Sequence, residues 1–208
     1  LPQEKITAEH TQHNISSCKL FFPLTEQYWK KEGNKIPQIL VTDTFIQDAY
    51  ALAWREDGVD KGAILASYTW EDDSLKLLPF DEKQLVEKVT DRLRRITMET
   101  LGQDITEYFI KDKPVMIQWI KQPTYDGCAK LYRQRDEKAN FIDLSYNQNY
   151  SHKSNLYFTG ENYSVEGGWT EPALRSALDG VMRLLNNVDA KFGIEDFDYQ
   201  KDYPKWKL

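Results

Sequence analysis

The chain has 208 residues, 40% hydrophobic and 13% aromatic, enough for one large domain or two small ones with a proper core. Its formal net charge of −6 is spread along the chain with no basic stripe, which argues against a nucleic-acid partner. Two cysteines, Cys18 and Cys128, exclude a disulfide-rich scaffold, leaving free thiols or a single bridge, and no run is long and apolar enough to span a membrane.

Residues 1–15 are polar, carry His10 and His13, and read as a loop or linker. Cys18 to Phe22 reads as a strand, Thr25 to Lys31 as a turn or short helix carrying Trp29, and Gln38 to Thr42 as a second strand. Tyr50 to Trp54 and Ala63 to Trp70 are two further strands, and the turn-like stretch with Gly58 and Gly62 makes them a hairpin. Glu71, Asp72 and Asp73 cap its end. Glu82 to Leu101 is the clearest helix: Leu85, Val89, Leu93 and Ile96 fall on one face, Asp81 caps the start and Gly102 suits the end. Pro114 to Ile120 reads as a strand with Trp119 near its end, and Lys121 to Ser154 as an irregular polar stretch rich in Tyr and Asn.

Leu156 to Leu185 is the most informative segment. Leu156, Tyr157 and Phe158 suit a buried strand, Gly160 and Glu161 a sharp turn with a carboxylate on it, and Gly167 and Gly168 strip side chains from the backbone before a helix. Thr170 is the expected N-cap, with Pro172 in the first turn and Leu174, Ala177, Leu178, Val181 and Leu185 on the buried face of a helix running to Asn187. Bare backbone ahead of a helix N-terminus offers free N–H groups and a positive dipole end to an electron-rich ligand. The tail from Asp189 to Leu208 alternates acidic and aromatic residues.

This segment resembles the C-terminal flavin motif of the flavin amine oxidases, most of all their L-amino acid oxidase and tryptophan 2-monooxygenase branch. The resemblance implies FAD as cofactor, with Gly160 and Glu161 holding its ribityl and pyrophosphate region and Gly168, Trp169 and Thr170 lying at the isoalloxazine. The run from Lys19 to Trp29 resembles the family's active-site lysine strand, which implies that Lys19 acts beside the flavin and either assists its reoxidation by O2 or delivers water to the imine. Further likenesses imply that Tyr50 binds the substrate carboxylate, and that Trp119 and Trp169, with Gly168, line the substrate pocket; the family's usual proline and arginine near Tyr50 are missing. The segment Tyr68 to Ser74 also matches, and its acidic residues read as structural.

The implied fold is α/β (α+β mixed): a mixed-sheet substrate domain with helices over 1–150, the C-terminal strand and helix of an FAD-binding Rossmann-like domain over 151–188, and a tail over 189–208. No G-x-G-x-x-G unit occurs in the 208 residues. The family carries that unit in its N-terminal half, so the resemblance makes this chain the C-terminal half of such an enzyme. It implies a hetero-oligomer, in which a second polypeptide, from another gene or from proteolytic cleavage, carries the unit and the family's carboxylate-binding arginine. The implied reaction takes an L-amino acid and O2 to a 2-oxo acid, ammonia and H2O2. A monooxygenase yielding an amide, an amine or polyamine oxidase, and a non-catalytic subunit are the alternatives.

No metal site is expected, since His10 and His13 lack a third ligand at any recognised spacing, and His152 stands apart from them. No Ser-His-Asp set stands out. No signal peptide is recognisable, and the start at Leu1 rather than Met points to a processed or trimmed chain. The sequons at Asn14, Asn149 and Asn162 matter only in a secreted protein, and Asn162 lies inside the motif; a cytoplasmic setting is slightly favoured, with the compartment otherwise open.

Overall fold

The computed structural model describes residues 1–134, 143–145, 155–191 and 193–202. Asn149, His152, the boundary expected at 150/151, half of the polar stretch over 121–154 and the last six residues of the tail lie outside the described residues. The chain forms two compact units, one of Ser16–Cys128 and one of Leu1–Ile15 with Ala129–Leu208.

The first, the sheet unit, is built on five strands: β2 (Ser17–Pro23), β3 (Ile39–Val41), β4 (Asp48–Glu56), β5 (Val59–Trp70) and β6 (Val115–Gln118). Their order is β3-β4-β5-β2-β6; every ladder is antiparallel, and an isolated bridge from Gln47 to Tyr68 adds a parallel pairing. Asp57 and Gly58 close the β4–β5 hairpin, an Asp-Gly pair of the kind that matches strand twist, while Gly62 belongs to β5 itself. Glu71, Asp72 and Asp73 form the first turn of a short helix, α2 (Glu71–Leu75), where their charge complements the helix dipole.

Helix α3 (Glu82–Leu101) starts at a full capping box, with Asp81 accepting from the Gln84 N–H and Gln84 reaching back to the Asp81 N–H, and stops at Gly102. Leu85, Val89 and Leu93 are fully buried and join Cys18, Leu20, Phe22, Ile64 and Ala66 of the sheet in one core. Burying side chains of this size stabilises the fold by about 2 kcal/mol each. Helix and sheet thus cover one face, and alternation along β2 sends Lys19 and Phe21 to the other.

The second, the helical unit, contains α1 (Gln3–Thr11), a two-residue pairing of β1 (Asn14–Ile15) with β7 (Ala129–Lys130), α4 (Thr170–Asn187) and α5 (Tyr199–Asp202). Residues expected as a loop over 1–15 thus include a helix. Leu156, Tyr157 and Phe158, expected as a strand, form none. A strand exists only by pairing, and the described strands of this unit, β1 and β7, pair with each other.

The N-cap of helix α4 lies one residue earlier than expected. Trp169 takes the extended N-cap conformation, and Thr170 is the first helical residue, with no side-chain cap. The buried side of α4 also differs from the expected one. Pro172, Ser176 and Gly180 are buried, whereas Leu174, Leu178 and Val181 are 64%, 55% and 51% exposed. Small residues allow close approach: a Cβ on Gly180 would stand 2.4 Å from Thr159 Cγ2, and Asn187 donates to the Tyr157 hydroxyl at 2.6 Å. The apolar stripe is left without a cover among the described residues. Neither cysteine is in a disulfide; Cys18 is buried and Cys128 half-buried. No helix among the described residues is long and apolar enough to cross a membrane.

Candidate functional site

In the helical unit, residues 160–168 are folded into a clamp. Gly160 has φ 129° and Gly168 φ 83°, backbone conformations that disfavour a side chain, and open space lies where a Cβ would stand at either. Between them Glu161–Tyr163 make a single 3-10 turn. One carboxylate oxygen, Glu161 Oε1, accepts from the Gly168 N–H at 2.6 Å and the Lys130 N–H at 3.0 Å. Glu161 therefore ties the start of the clamp to its end and to β7. Ser164 Oγ lies 2.6 Å from both the Glu161 and the Glu166 carbonyls. The Ser176 hydroxyl of α4 accepts from the Gly160 N–H at 3.2 Å, which seats the clamp on the helix.

The outer side of this clamp fits a flavin. Gly160 and Gly168 present bare backbone, Trp169 is 74% exposed beside them, and the Thr170 and Glu171 N–H groups in the first turn have no intrahelical acceptor. A planar, electron-rich group finds there an apolar indole face and unclaimed donors at the positive end of an 18-residue helix. Glu161 contributes from within, through the backbone it orders.

In the sheet unit, Lys19 pairs across strands with Tyr68 on β5 and Ile117 on β6. Its ammonium lies 4.6 Å from the centroid of the Tyr68 ring, a cation–π contact. An irregularity in the β2–β5 register at Leu20/Phe21 makes this pairing. Without it, the alternation that buries Ile64 and Ala66 in the core would send Tyr68 there too; the extra residue re-aims it to the Lys19 side. Burial pushes the Tyr68 hydroxyl up to about 12, with the nearby Cys128 and Tyr50 adding to it, so Tyr68 stays a proton donor at physiological pH. Tyr50, on β4, donates to Asp48 Oδ2 at 3.1 Å; burial first and Asp48 second raise its pKa. Trp119 follows β6 directly, with its ring 5.2 Å from that of Tyr125 and its buried indole N–H lacking an acceptor among the described residues.

These folds bring Gly160, Glu161, Gly168, Trp169 and Thr170 together in one unit, and Lys19 and Tyr50 around Tyr68 in the other. Sequence reasoning missed Tyr68. It lies 49 positions beyond Lys19 (68 − 19), and only the strand register and its irregularity make them neighbours. A groove of about 380 Å³ in the sheet unit, among Phe45, Leu77, Phe80, Lys88 and Arg92, contains none of the expected site residues. No group of three or more metal-ligating side chains occurs among the described residues, and His13 Nδ1 lies 2.8 Å from the Arg133 guanidinium.

The family model of flavin containing amine oxidoreductases matches residues 1–185. The chain belongs to this family. Its cofactor is FAD, in keeping with the donors and bare backbone of the clamp. Over 90% of its length the chain is 29% identical to a tryptophan 2-monooxygenase of Pantoea agglomerans pv. gypsophilae and 28% identical to one of Pseudomonas savastanoi, covering 34% of each. It is 24% identical over 89% of its length to an L-amino-acid oxidase of Siganus canaliculatus, covering 32% of that protein. The chain thus spans between 24% and 34% of the length of the curated relatives it matches.

Proposed function

We propose that this flavin amine oxidoreductase chain is part of an enzyme that oxidises an L-amino acid at its Cα–H. The observation that carries this reading is the 160–168 clamp, which turns Gly160, Gly168 and Trp169 outward at the start of α4. These residues and the first-turn N–H groups would hold FAD, which when bound accepts the hydride and passes the electrons to O2.

The remaining roles belong to side chains of the sheet unit. Lys19, steadied over Tyr68, supplies positive charge where negative charge develops on O2, and its ammonium can hold a water there. Tyr68 keeps its proton and is suited to donate to the substrate carboxylate; Tyr50 is the second candidate, with Asp48 competing for its hydroxyl. Trp119 is the sheet unit's candidate for lining the substrate side chain, with an indole N–H that lacks an acceptor among the described residues, and Trp169 is the helical unit's candidate for the flavin.

The product is a 2-oxo acid with ammonia and H2O2 if the imino acid escapes to water. A second reading, oxidative decarboxylation to an amide, is supported by similarity to two tryptophan 2-monooxygenases, and L-tryptophan is then the first substrate to try. The dinucleotide-binding G-x-G-x-x-G unit and the carboxylate-binding arginine would come from outside these 208 residues, on a second polypeptide in a hetero-oligomer. The uncovered stripe of Leu174, Leu178 and Val181 is a surface on which that polypeptide could pack.

Aerobic turnover of the assembled protein with single L-amino acids, followed by product analysis, tests the proposal. A 2-oxo acid supports the oxidase and an amide the monooxygenase. Turnover of decarboxylated amines alone would refute both in favour of an amine oxidase.

A further inference from the structure

Two lysines of the helical unit are buried, and both touch the clamp. Lys130, on β7, is 3% exposed. Its ammonium donates to the Ser164 carbonyl, which also accepts from the Ser145 hydroxyl at 2.8 Å. Its backbone N–H holds Glu161 Oε1, and its carbonyl lies 2.2 Å from where a Cβ on Gly167 would stand. One residue thus fixes the clamp at Glu161, Ser164 and Gly167. Lys5, on α1, is 1% exposed. Its ammonium donates to the Leu144 carbonyl and lies 5.3 Å from the Tyr163 ring and 5.6 Å from the Phe158 ring, which flank the turn.

We propose that Lys130 and Lys5 are positioning residues for the flavin-contact clamp, and that their protonation sets how firmly it holds the flavin. This inference rests on the reading of residues 160–168 as a flavin contact.

The sign follows from burial. Desolvation lowers both amines to about 8 in the closed fold, opposed at Lys130 by Glu161 and at Lys5 by Glu9 and Asp143. Neighbouring cations lower both further: Lys5 acts on Lys130, and Arg183 on Lys5. The Tyr132 ring, 5.0 Å from the Lys130 ammonium, also faces it. An opened clamp returns the amines to water and to their ordinary value of 10.5. Between about 8 and 10.5 the open form therefore carries more protons, and rising pH favours closure. The neutral amine still donates an N–H to the Ser164 carbonyl, so closure loses no hydrogen bond.

The test follows flavin release from the assembled, FAD-loaded protein, together with amide hydrogen exchange of residues 160–168 in the flavin-free protein, corrected for intrinsic rates. Both are measured from about pH 7 to about pH 10, a range that spans most of the window between the two lysine values. In the wild type, clamp exchange and flavin release should both slow several-fold as pH rises. Lys130→Met removes the titrating amine, and Lys130→Arg keeps a permanent charge; both should flatten much of the slope, and Lys5→Met part of what is left.

A wild-type clamp with no slope overturns the inference without recourse to a variant. So does a slope that Lys130→Met and Lys130→Arg leave intact. A clamp slope that vanishes in the variants while flavin release is indifferent to pH and to substitution would show that the clamp does not hold the flavin, and the reading beneath the inference falls.

Discussion

At the scale of single residues, the Lys19–Tyr68 pair makes the sharpest demands. Lys19 stands on the sheet face away from α3, so Lys19→Met should fold normally. It should slow turnover by about a hundredfold, chiefly in the step with O2, if its charge stabilises oxygen reduction. Stopped-flow separation of the two half-reactions checks this, and unchanged turnover would favour a non-catalytic subunit. Tyr68→Phe keeps the ring under the Lys19 ammonium and removes only the hydroxyl. It should raise KM for the amino acid by about tenfold with a smaller change in kcat, as expected for a lost hydrogen bond to a charged group. Tyr50→Phe should cost less, because its hydroxyl already donates to Asp48. Lys19 and residues 160–168 stand out in the sequence because their neighbours along the chain form the pattern. The places of Tyr68 and Lys130 do not stand out, because strand pairing sets them and local spacing does not encode it.

At the scale of elements, helix α3 was fully legible, since its cap, apolar spacing and terminal glycine agree. Asp81→Ala should therefore cost about 1 kcal/mol, read as a lower thermal midpoint. Helix α4 is the instructive case. Its length was legible, but its burial was not, because hydrophobic spacing marks which face wants cover and cannot say which neighbour supplies it. In this chain the small face, with Ser176 and Gly180, meets residues 157–163. Gly180→Val should thus destabilise the helical unit by about 1–3 kcal/mol through overpacking against Thr159, although valine prefers a helix to a similar or greater degree than glycine. A calorimetric midpoint at or above the wild-type value would refute that packing. The absent strand at Leu156–Phe158 has the same origin: apolar residues suited to a sheet need strand partners.

For the whole molecule, the sheet unit has its own core, whereas the helical unit leaves an apolar stripe uncovered among the described residues, and no pyrophosphate-binding glycine unit occurs in the 208 residues. Leu178→Asp should leave the fold of the chain intact, since the side chain is exposed, and abolish co-purification with the proposed second polypeptide. The measurement that bears most directly on the central claim is an absorption spectrum of the assembled protein, followed by anaerobic addition of single L-amino acids. The expected result is a flavin spectrum bleached by at least one L-amino acid and restored by air. A flavin spectrum that no L-amino acid bleaches, while a decarboxylated amine does, would contradict it.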